Sequence, residues 1–317
     1  MSLSANISRK LSGRQIERRI GRIREILPIL EERFSPCRLC PRSCGALRWD
    51  GELGECGVNG ELQVASVARH KGEEPPVSGK SGAINVFFAG CNLHCIYCQN
   101  WPISQHRVGS IIPPEILAER ILKKWRQGAR TLGWVTPTPQ LIKALEAYRL
   151  CLQAGFDLPL VYNCGGYESR EVLQFLASVV DIWLPDVKTL DPEQARELHQ
   201  IDDYPEVNWK ALREMVRQEE QKLARAVIVR HLVLPGRLED SKNILSKLYE
   251  CFHDSIYLSL MVQYFPTYKT IEHPGLGRQL HSWEYQEIVN YTQGIGFKKG
   301  WMQNFEVENG IPLCCLS

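Results

Sequence analysis

The hydrophobic positions of this chain change period along its length, and the change divides it. Near the N-terminus, Ile16, Ile20, Ile23, Leu27 and Leu30 recur at steps of three and four with arginines on the other face. That spacing predicts a basic amphipathic helical stretch over residues 1–34, which Pro28 is expected to kink or restart. Such a helix suits a membrane surface or RNA, but packing against a main domain explains its apolar stripe more simply. From Ala83 onward, short runs rich in β-branched and aromatic residues alternate with longer stretches of helical period. Strands are expected at 83–88, 131–137, 159–164, 180–186, 226–234 and 256–264. Helices are expected at 113–127, 139–154, 169–178, 191–222 (broken around Pro205), 239–252 and 283–294. This alternation predicts a parallel α/β fold. Six βα units are too few to close an eight-stranded barrel, so an open, partial barrel is expected.

Between these regions the pattern is neither helical nor extended. Cys37-Arg-Leu-Cys40-Pro-Arg-Ser-Cys44 is followed by Cys56 in Gly-Glu-Cys-Gly, with glycines and turn residues filling the gap. A small knuckle folded around metal has this composition. Four thiolates with no open position suit tetrahedral zinc and an iron–sulfur cubane equally well. The expected organisation is a helical extension at 1–36, a Cys-rich metal-binding segment at 37–78 and the partial barrel at 79–317. Gly79-Lys80-Ser81 is read as a turn, because a phosphate loop would need a glycine where Glu74 stands and a strand before it.

Composition narrows the class. The 317 residues suffice for one large core plus a small appendage. A hydrophobic fraction of 44% and a charged fraction of 23% describe an ordinary soluble globular protein. The net charge of +2 argues neither for nor against nucleic acid. No apolar run approaches the ~18 residues of a membrane span, and the N-terminus lacks the apolar core of a signal peptide, so a cytoplasmic protein is expected. Twelve cysteines would mean disulfides in a secreted mini-protein, but here they cluster at metal-ligand spacings.

The sharpest of these clusters is Cys91-Asn-Leu-His-Cys95-Ile-Tyr-Cys98, directly after the apolar run Ile84-Asn-Val-Phe-Phe88. It falls on the loop at the C-terminal end of the first barrel strand, where α/β barrels keep their chemistry. Three thiolates hold three irons of a cubane, and the fourth iron is left open for a ligand the protein does not supply.

C-x3-C-x2-C with an aromatic before the third cysteine resembles the signature of the radical S-adenosylmethionine (SAM) superfamily. Phe88-Ala-Gly-Cys-Asn-Leu-His-Cys-Ile-Tyr-Cys-Gln-Asn100 further resembles proteins related to the pyruvate formate-lyase activating enzyme, from about Cys37 to the C-terminus. The resemblance implies a partial (β/α)6 TIM-like barrel with an N-terminal helical and Cys-rich extension. It implies an oxidoreductase that reductively cleaves SAM at a [4Fe–4S] cluster on Cys91, Cys95 and Cys98, giving a 5′-deoxyadenosyl radical for hydrogen abstraction. A reduced flavodoxin or ferredoxin would be the electron donor and a glycyl-radical enzyme the partner. Radical chemistry on a small molecule, a peptide or RNA is the second reading. A metal-stabilised interaction protein that never cleaves SAM is the third.

The resemblance also assigns roles at the strand ends. Val135-Thr136-Pro137-Thr138-Pro139 stands where many relatives carry Gly-Gly-Glu for the methionine amino group. Here Thr136, Thr138 and backbone carbonyls are left for that task, with Thr138 reading equally well as a helix cap. Asn163, in Asn163-Cys164-Gly165-Gly166-Tyr167, replaces an aspartate that helps hold SAM. The two glycines allow close approach to a ligand or a tight turn. Asp186-Val187-Lys188 matches the activating enzymes' Asp-x-Lys, with both side chains on one face. Lys188 is the expected partner of the methionine carboxylate, and Asp186 balances its charge. Arg230 is expected to point inward and its neighbour His231 outward. Gln263 and Tyr97 are candidates to contact adenine or substrate. Cys151 and Cys251 are expected in the core. Cys314 and Cys315 have no evident role.

Overall fold

A computed structural model describes residues 3–305 and the backbone of two short strands, Val307–Glu308 and Ile311–Pro312. Cys314 and Cys315 lie outside the described residues.

The chain begins with α1 (Leu3–Ile7) and α2 (Gly13–Glu32). Ser12 and Gln15 cap α2 reciprocally, the Ser12 hydroxyl accepting from the Gln15 N–H and the Gln15 side chain from the Ser12 N–H. Ile23, Ile26 and Leu30 bury one face of α2. The helix runs through Pro28 without restarting there, and Pro28 sits on its exposed face.

The remaining elements are β1 (Gln63–His70), α3 (Pro75–Ser78), β2 (Ala83–Phe88), α4 (Trp101–Ser104), β3 (Ser110–Ile111), α5 (Pro114–Trp125), β4 (Leu132–Val135), α6 (Leu141–Gln153), β5 (Leu160–Cys164), α7 (Arg170–Phe175), β6 (Ile182–Pro185), α8 (Pro192–His199), α9 (Tyr204–Glu220), β7 (Ala226–Leu232), α10 (Leu238–Phe252), β8 (Tyr257–Met261), α11 (Ser282–Gly294) and β9 (Gly300–Met302). The strand order is β3-β1-β2-β4-β5-β6-β7-β8-β9, with every pairing from β2 through β9 parallel. Among the described residues the sheet ends at β3 and β9 without closing, as expected of a partial TIM-like barrel. All six expected strands are present. The break in the 191–222 stretch falls at residues 200–203, where Gln200 takes a left-handed backbone (φ 58°) and Pro205 opens the next helix.

Three strands of this sheet, β1, β3 and β9, escaped the periodicity, and β3 has only two residues. β9 is only three residues long. β1 pairs antiparallel with β2, from Val64 opposite Phe88 to His70 opposite Ala83. Most of its side chains are half-buried, so its alternation is faint. Residues 63–70, expected in the Cys-rich segment, are thus hydrogen-bonded into the barrel sheet, which starts before residue 79.

The main core lies between sheet and helices, where Trp134, Tyr148 and Phe156 pack with Leu145 and Ile142. Inside the barrel, Val161, Ile182, Leu184, Ala226 and Ile228 meet Ile7 of α1 and Val77 of α3, which plug the N-terminal end of the strands. The apolar stripe of α2 packs on α6, so the helix is a structural part of the domain. Among the described residues, no helix is long and apolar enough to cross a membrane.

Candidate active site

Parallel strands end together, so the loops after β2, β4, β5, β6, β7 and β8 converge on one mouth. A cavity of about 200 Å³ opens there, with Cys91, Cys95 and Cys98 on its wall. The Leu93 N–H points to the Cys91 sulfur at 3.4 Å, and the Ser104 hydroxyl lies 3.1 Å from the Cys98 sulfur. Burial pushes the Cys95 thiol up to about 12 and Cys91 higher still, so these groups become thiolates only with a cation to offset the charge. Among the described residues, no three His, Cys, Asp or Glu side chains converge tightly enough to hold one metal ion. A cubane carries each thiolate on a different iron, and the three cysteines of this loop share one cavity wall.

The other strand ends supply polar groups to the same cavity. Asp186 and Lys188 lie on one face as the extended register requires, and their side chains pair at 2.7 Å. Desolvation works against the Lys188 ammonium, but Asp186 together with Tyr97, Cys95 and Tyr204 holds its pKa well above the ordinary value. Thr136 and Asn163 also line the cavity, and the Thr136 N–H bonds the Asn163 carbonyl at 2.9 Å. Thr136 has φ 53°, an uncommon backbone for a β-branched residue and the kind of strain that collects at functional sites. Gln263 reaches the wall from beyond β8, and its carbonyl accepts from the Gln99 side chain.

Tyr97 presents its ring to the cavity, while its hydroxyl is hydrogen-bonded to His199 Nε2 at 2.9 Å. Arg230 points inward and His231 outward, as adjacent strand residues must. The Arg230 guanidinium is already taken up by Glu74, at 2.7 and 2.8 Å, and by Glu73. These two carboxylates precede α3 and carry no motif that would have announced them. His231 is buried against α10, bonding the Val187 carbonyl at 2.8 Å and the Ser241 hydroxyl at 2.9 Å.

Residues 85–248, just over half of the chain, match the Radical SAM superfamily. An uncharacterized protein of Methanocaldococcus jannaschii is 30% identical over 264 residues, covering 80% of this chain and 72% of that protein. The chain belongs to the radical SAM superfamily. The superfamily's cofactors are a [4Fe–4S] cluster and SAM, and its members are enzymes. The pyruvate formate-lyase-activating enzyme of Listeria monocytogenes is 27% identical over 184 residues, covering 55% of this chain and 71% of its own. Among solved structures, Streptococcus suis SuiB bound to S-adenosylmethionine shares the fold, with a TM-score of 0.50, 10% identity and 70% of this chain covered. This radical SAM chain spans only 50% of the SuiB chain.

Three expectations about the radical SAM site need correction. Thr138 does not line the barrel cavity and caps no helix. Its hydroxyl lies 2.8 and 2.9 Å from the Glu168 carboxylate and 3.0 Å from the Tyr162 hydroxyl, because a carboxyl buried there needs a polar partner. Of the two glycines, Gly165 lines the cavity, while Gly166 (φ 78°) makes its close approach to the protein itself, since a Cβ would lie 2.1 Å from Asn208 Nδ2 and 2.3 Å from the Asp186 carbonyl. Cys151 is in the core, but Cys251 is exposed. The buried side of α10 runs through Ser241, Ile244, Leu248 and Phe252 and leaves Cys251 one step off it.

The sequence reading also passed over Cys164 and Glu168. Cys164 is buried and lines the cavity. Glu168 is buried with its pKa pushed up to about 8 by desolvation, against hydrogen bonds from Thr138 and Cys164.

Cys37, Cys40, Cys44 and Cys56 line a second, smaller cavity. Arg48, 1% exposed, sits among them with Nη1 3.9 Å from the Cys37 sulfur. It donates to the carbonyls of Asn59 (2.8 Å) and Pro139 (2.6 Å), and no carboxylate pairs with it among the described residues. A buried cation of this kind calls for a negative partner, and four metal-bound thiolates would provide one. The two cysteine sites abut. Arg42 Nε bonds the Asn92 carbonyl at 2.9 Å, Asn92 lines the second cavity, and a Cβ on Gly90 (φ 83°) would meet the Cys56 carbonyl at 2.7 Å.

Proposed function

We propose that Cys91, Cys95 and Cys98 hold the [4Fe–4S] cluster, that the polar strand ends hold SAM, and that the enzyme works as an activating-enzyme-like oxidoreductase on a protein. When bound, the cluster and SAM supply the electron and the homolytic cleavage that yield a 5′-deoxyadenosyl radical. The observation that carries the reading is the Asp186–Lys188 pair facing the three cysteines across one cavity. Lys188 offers the methionine carboxylate a partly buried ammonium, and Asp186 keeps it charged and oriented. With no Gly-Gly-Glu carboxylate and with Thr138 turned away, Thr136, Asn163 and backbone carbonyls are left for the amino group. Tyr97 offers a ring face and Gln263 an amide to the nucleoside. Arg230, neutralised by Glu73 and Glu74, positions the wall beside Asp186, whose backbone bridges it.

A protein substrate is favoured by likeness to the pyruvate formate-lyase-activating enzyme and by the unclosed sheet, which leaves room for a partner loop to complete a dry cavity. We also propose that Cys37, Cys40, Cys44 and Cys56 take a second metal centre, an iron–sulfur cluster in preference to zinc, since the four line one cavity around the buried Arg48. A reduced flavodoxin or ferredoxin is the proposed electron donor.

The test is anaerobic reconstitution, assay for 5′-deoxyadenosine, and electron spin resonance after incubation with glycyl-radical enzymes of the source organism. We expect the Cys95→Ala variant to make no 5′-deoxyadenosine and the unaltered enzyme with its partner to give a glycyl radical doublet. Undiminished cleavage by Cys95→Ala would refute the cluster assignment. Cleavage without any glycyl radical would replace the activase reading with radical chemistry on a small molecule, a peptide or RNA. No cleavage by the reconstituted enzyme would favour an interaction protein.

A further inference from the structure

We infer that the end of the barrel opposite the cysteines carries a binding site for a small molecule bearing two or more phosphate groups. The site begins with Asp181, just before β6 and 4% exposed. Its carboxylate accepts from Arg19 at 2.7 and 3.1 Å and from the Leu160 N–H at 2.8 Å, and forms an ion pair with Arg225, whose Nε lies 2.9 Å away. One carboxylate thus serves two guanidiniums whose side chains are only 7% and 12% exposed, leaving one buried positive charge in excess. Arg19 Nε and Arg225 Nη2 are buried and have no hydrogen-bond partner among the described residues. Unpaired donors on a buried charge are costly, and an oxyanion is the partner that guanidinium geometry fits best.

These groups line a cavity of about 830 Å³ between α1, α2 and the turns after α7 and α9. Its wall carries six cations, Arg9, Arg18, Arg19, Arg22, Arg225 and Lys222, against two anions, Asp181 and Glu219. Arg9, Arg18 and Lys222 make no ion pair among the described residues. Burial, and then the like charges of Arg19 and Arg9, pull the Arg225 pKa below its ordinary value despite Asp181, as expected where positive charge is crowded. The basic face of α2, which its packing on α6 does not explain, is a wall of this cavity.

Shape and lining select the ligand. The volume falls in the range of small-molecule pockets, about 300–1,000 Å³, and the cations surround a concavity where a nucleic acid or membrane surface would call for an open stripe. The excess of four positive charges (six minus two) matches a di- or triphosphate. Among the described residues no aromatic side chain lines the site, so none of them stacks on a base and the phosphates themselves are what is read. The site is separate from the cofactor cavity, and the inference stands apart from the proposed reaction.

Calorimetric titration of the reconstituted holoenzyme tests it, with tripolyphosphate, pyrophosphate, ATP, phosphate and sulfate as probes. Tripolyphosphate is expected to bind saturably and about as well as ATP, with phosphate and sulfate weaker and affinity falling as salt rises. The triple variant Arg9→Ala/Arg18→Ala/Lys222→Ala removes only exposed side chains, so its unliganded melting temperature should hold while tripolyphosphate affinity falls at least about tenfold. Lys188→Ala, at the other end of the barrel, should leave that affinity unchanged. The inference is overturned by absence of saturable heat at millimolar tripolyphosphate, or by full affinity in the triple variant. It is also overturned if single-stranded RNA or anionic vesicles bind more tightly than tripolyphosphate with the same sensitivity to that variant.

Discussion

Replacing Lys188 by alanine tests the proposed SAM site most directly, because the structure separates what this side chain does for binding from what it does for folding. Among the described residues Lys188 has one charged partner, Asp186 at 2.7 Å, and the two side chains are 15% and 25% exposed. Losing the charge-assisted contact with the methionine carboxylate should cost about 2 kcal/mol, roughly 30-fold in affinity. The variant also leaves Asp186 uncompensated beside an incoming carboxylate. The partial exposure of Asp186 screens that repulsion to about 1 kcal/mol, which brings the total to about 3 kcal/mol, roughly 150-fold. Lys188→Ala/Asp186→Asn removes the repulsion and should regain about fivefold. Iron content should not change, since the cysteines sit on the loop after β2. Anaerobic calorimetric titration of SAM into reconstituted protein, with iron analysis of each variant, gives both numbers. A SAM dissociation constant within about twofold of the unaltered enzyme would show that the pair is only a structural bridge at the barrel rim. A double variant no better than the single one would show that Asp186 does not face the ligand.

Replacing Cys37 and Cys40 together should loosen the N-terminal segment while sparing the barrel cluster, with a loss of about four irons by metal analysis if the site holds a cubane. Loss of one zinc with iron unchanged would point to a structural zinc site, and loss of neither would remove the site. Gly166→Ala forces a left-handed alanine into Asn208 and the Asp186 carbonyl; it should cost at least about 2 kcal/mol in urea melts and weaken SAM binding by displacing Asp186, and near-normal stability would contradict the close approach. Burial lowers the His231 pKa to about 4 against its hydrogen bond to Val187. The folded state therefore binds fewer protons than the unfolded one between pH 6.5 and 4, and stability should fall by up to about 3 kcal/mol as pH drops through that window. In His231→Gln that contribution should vanish, and an unchanged slope in urea melts from pH 7 to 4 would show that His231 is not its source.

The six strands, the helices between them and the break before Pro205 were legible in the sequence because hydrophobic period is a local property. Cys91, Cys95 and Cys98 were legible for the same reason, since ligands within eight residues on one loop carry their geometry in their spacing. The strand-end rule extended this to Asp186 and Lys188, whose two-residue separation already places them on one face. Other features depended on partners distant in the chain. Arg230 is committed to Glu73 and Glu74, more than 150 residues away, and nothing at Arg230 itself foretells them. Thr138 stands where the motif predicts a cofactor contact, yet buried Glu168 claims its hydroxyl. The apolar stripe of α2 foretold that the helix packs on the domain, but only the position of Asp181 turned its basic face into a cavity wall. The contact between the two cysteine sites likewise exists only in three dimensions, through Gly90, Asn92 and Arg42. Periodicity says which face of an element is buried. Which polar group a side chain meets there is decided by the free energy of satisfying buried charge and hydrogen bonds across the whole fold.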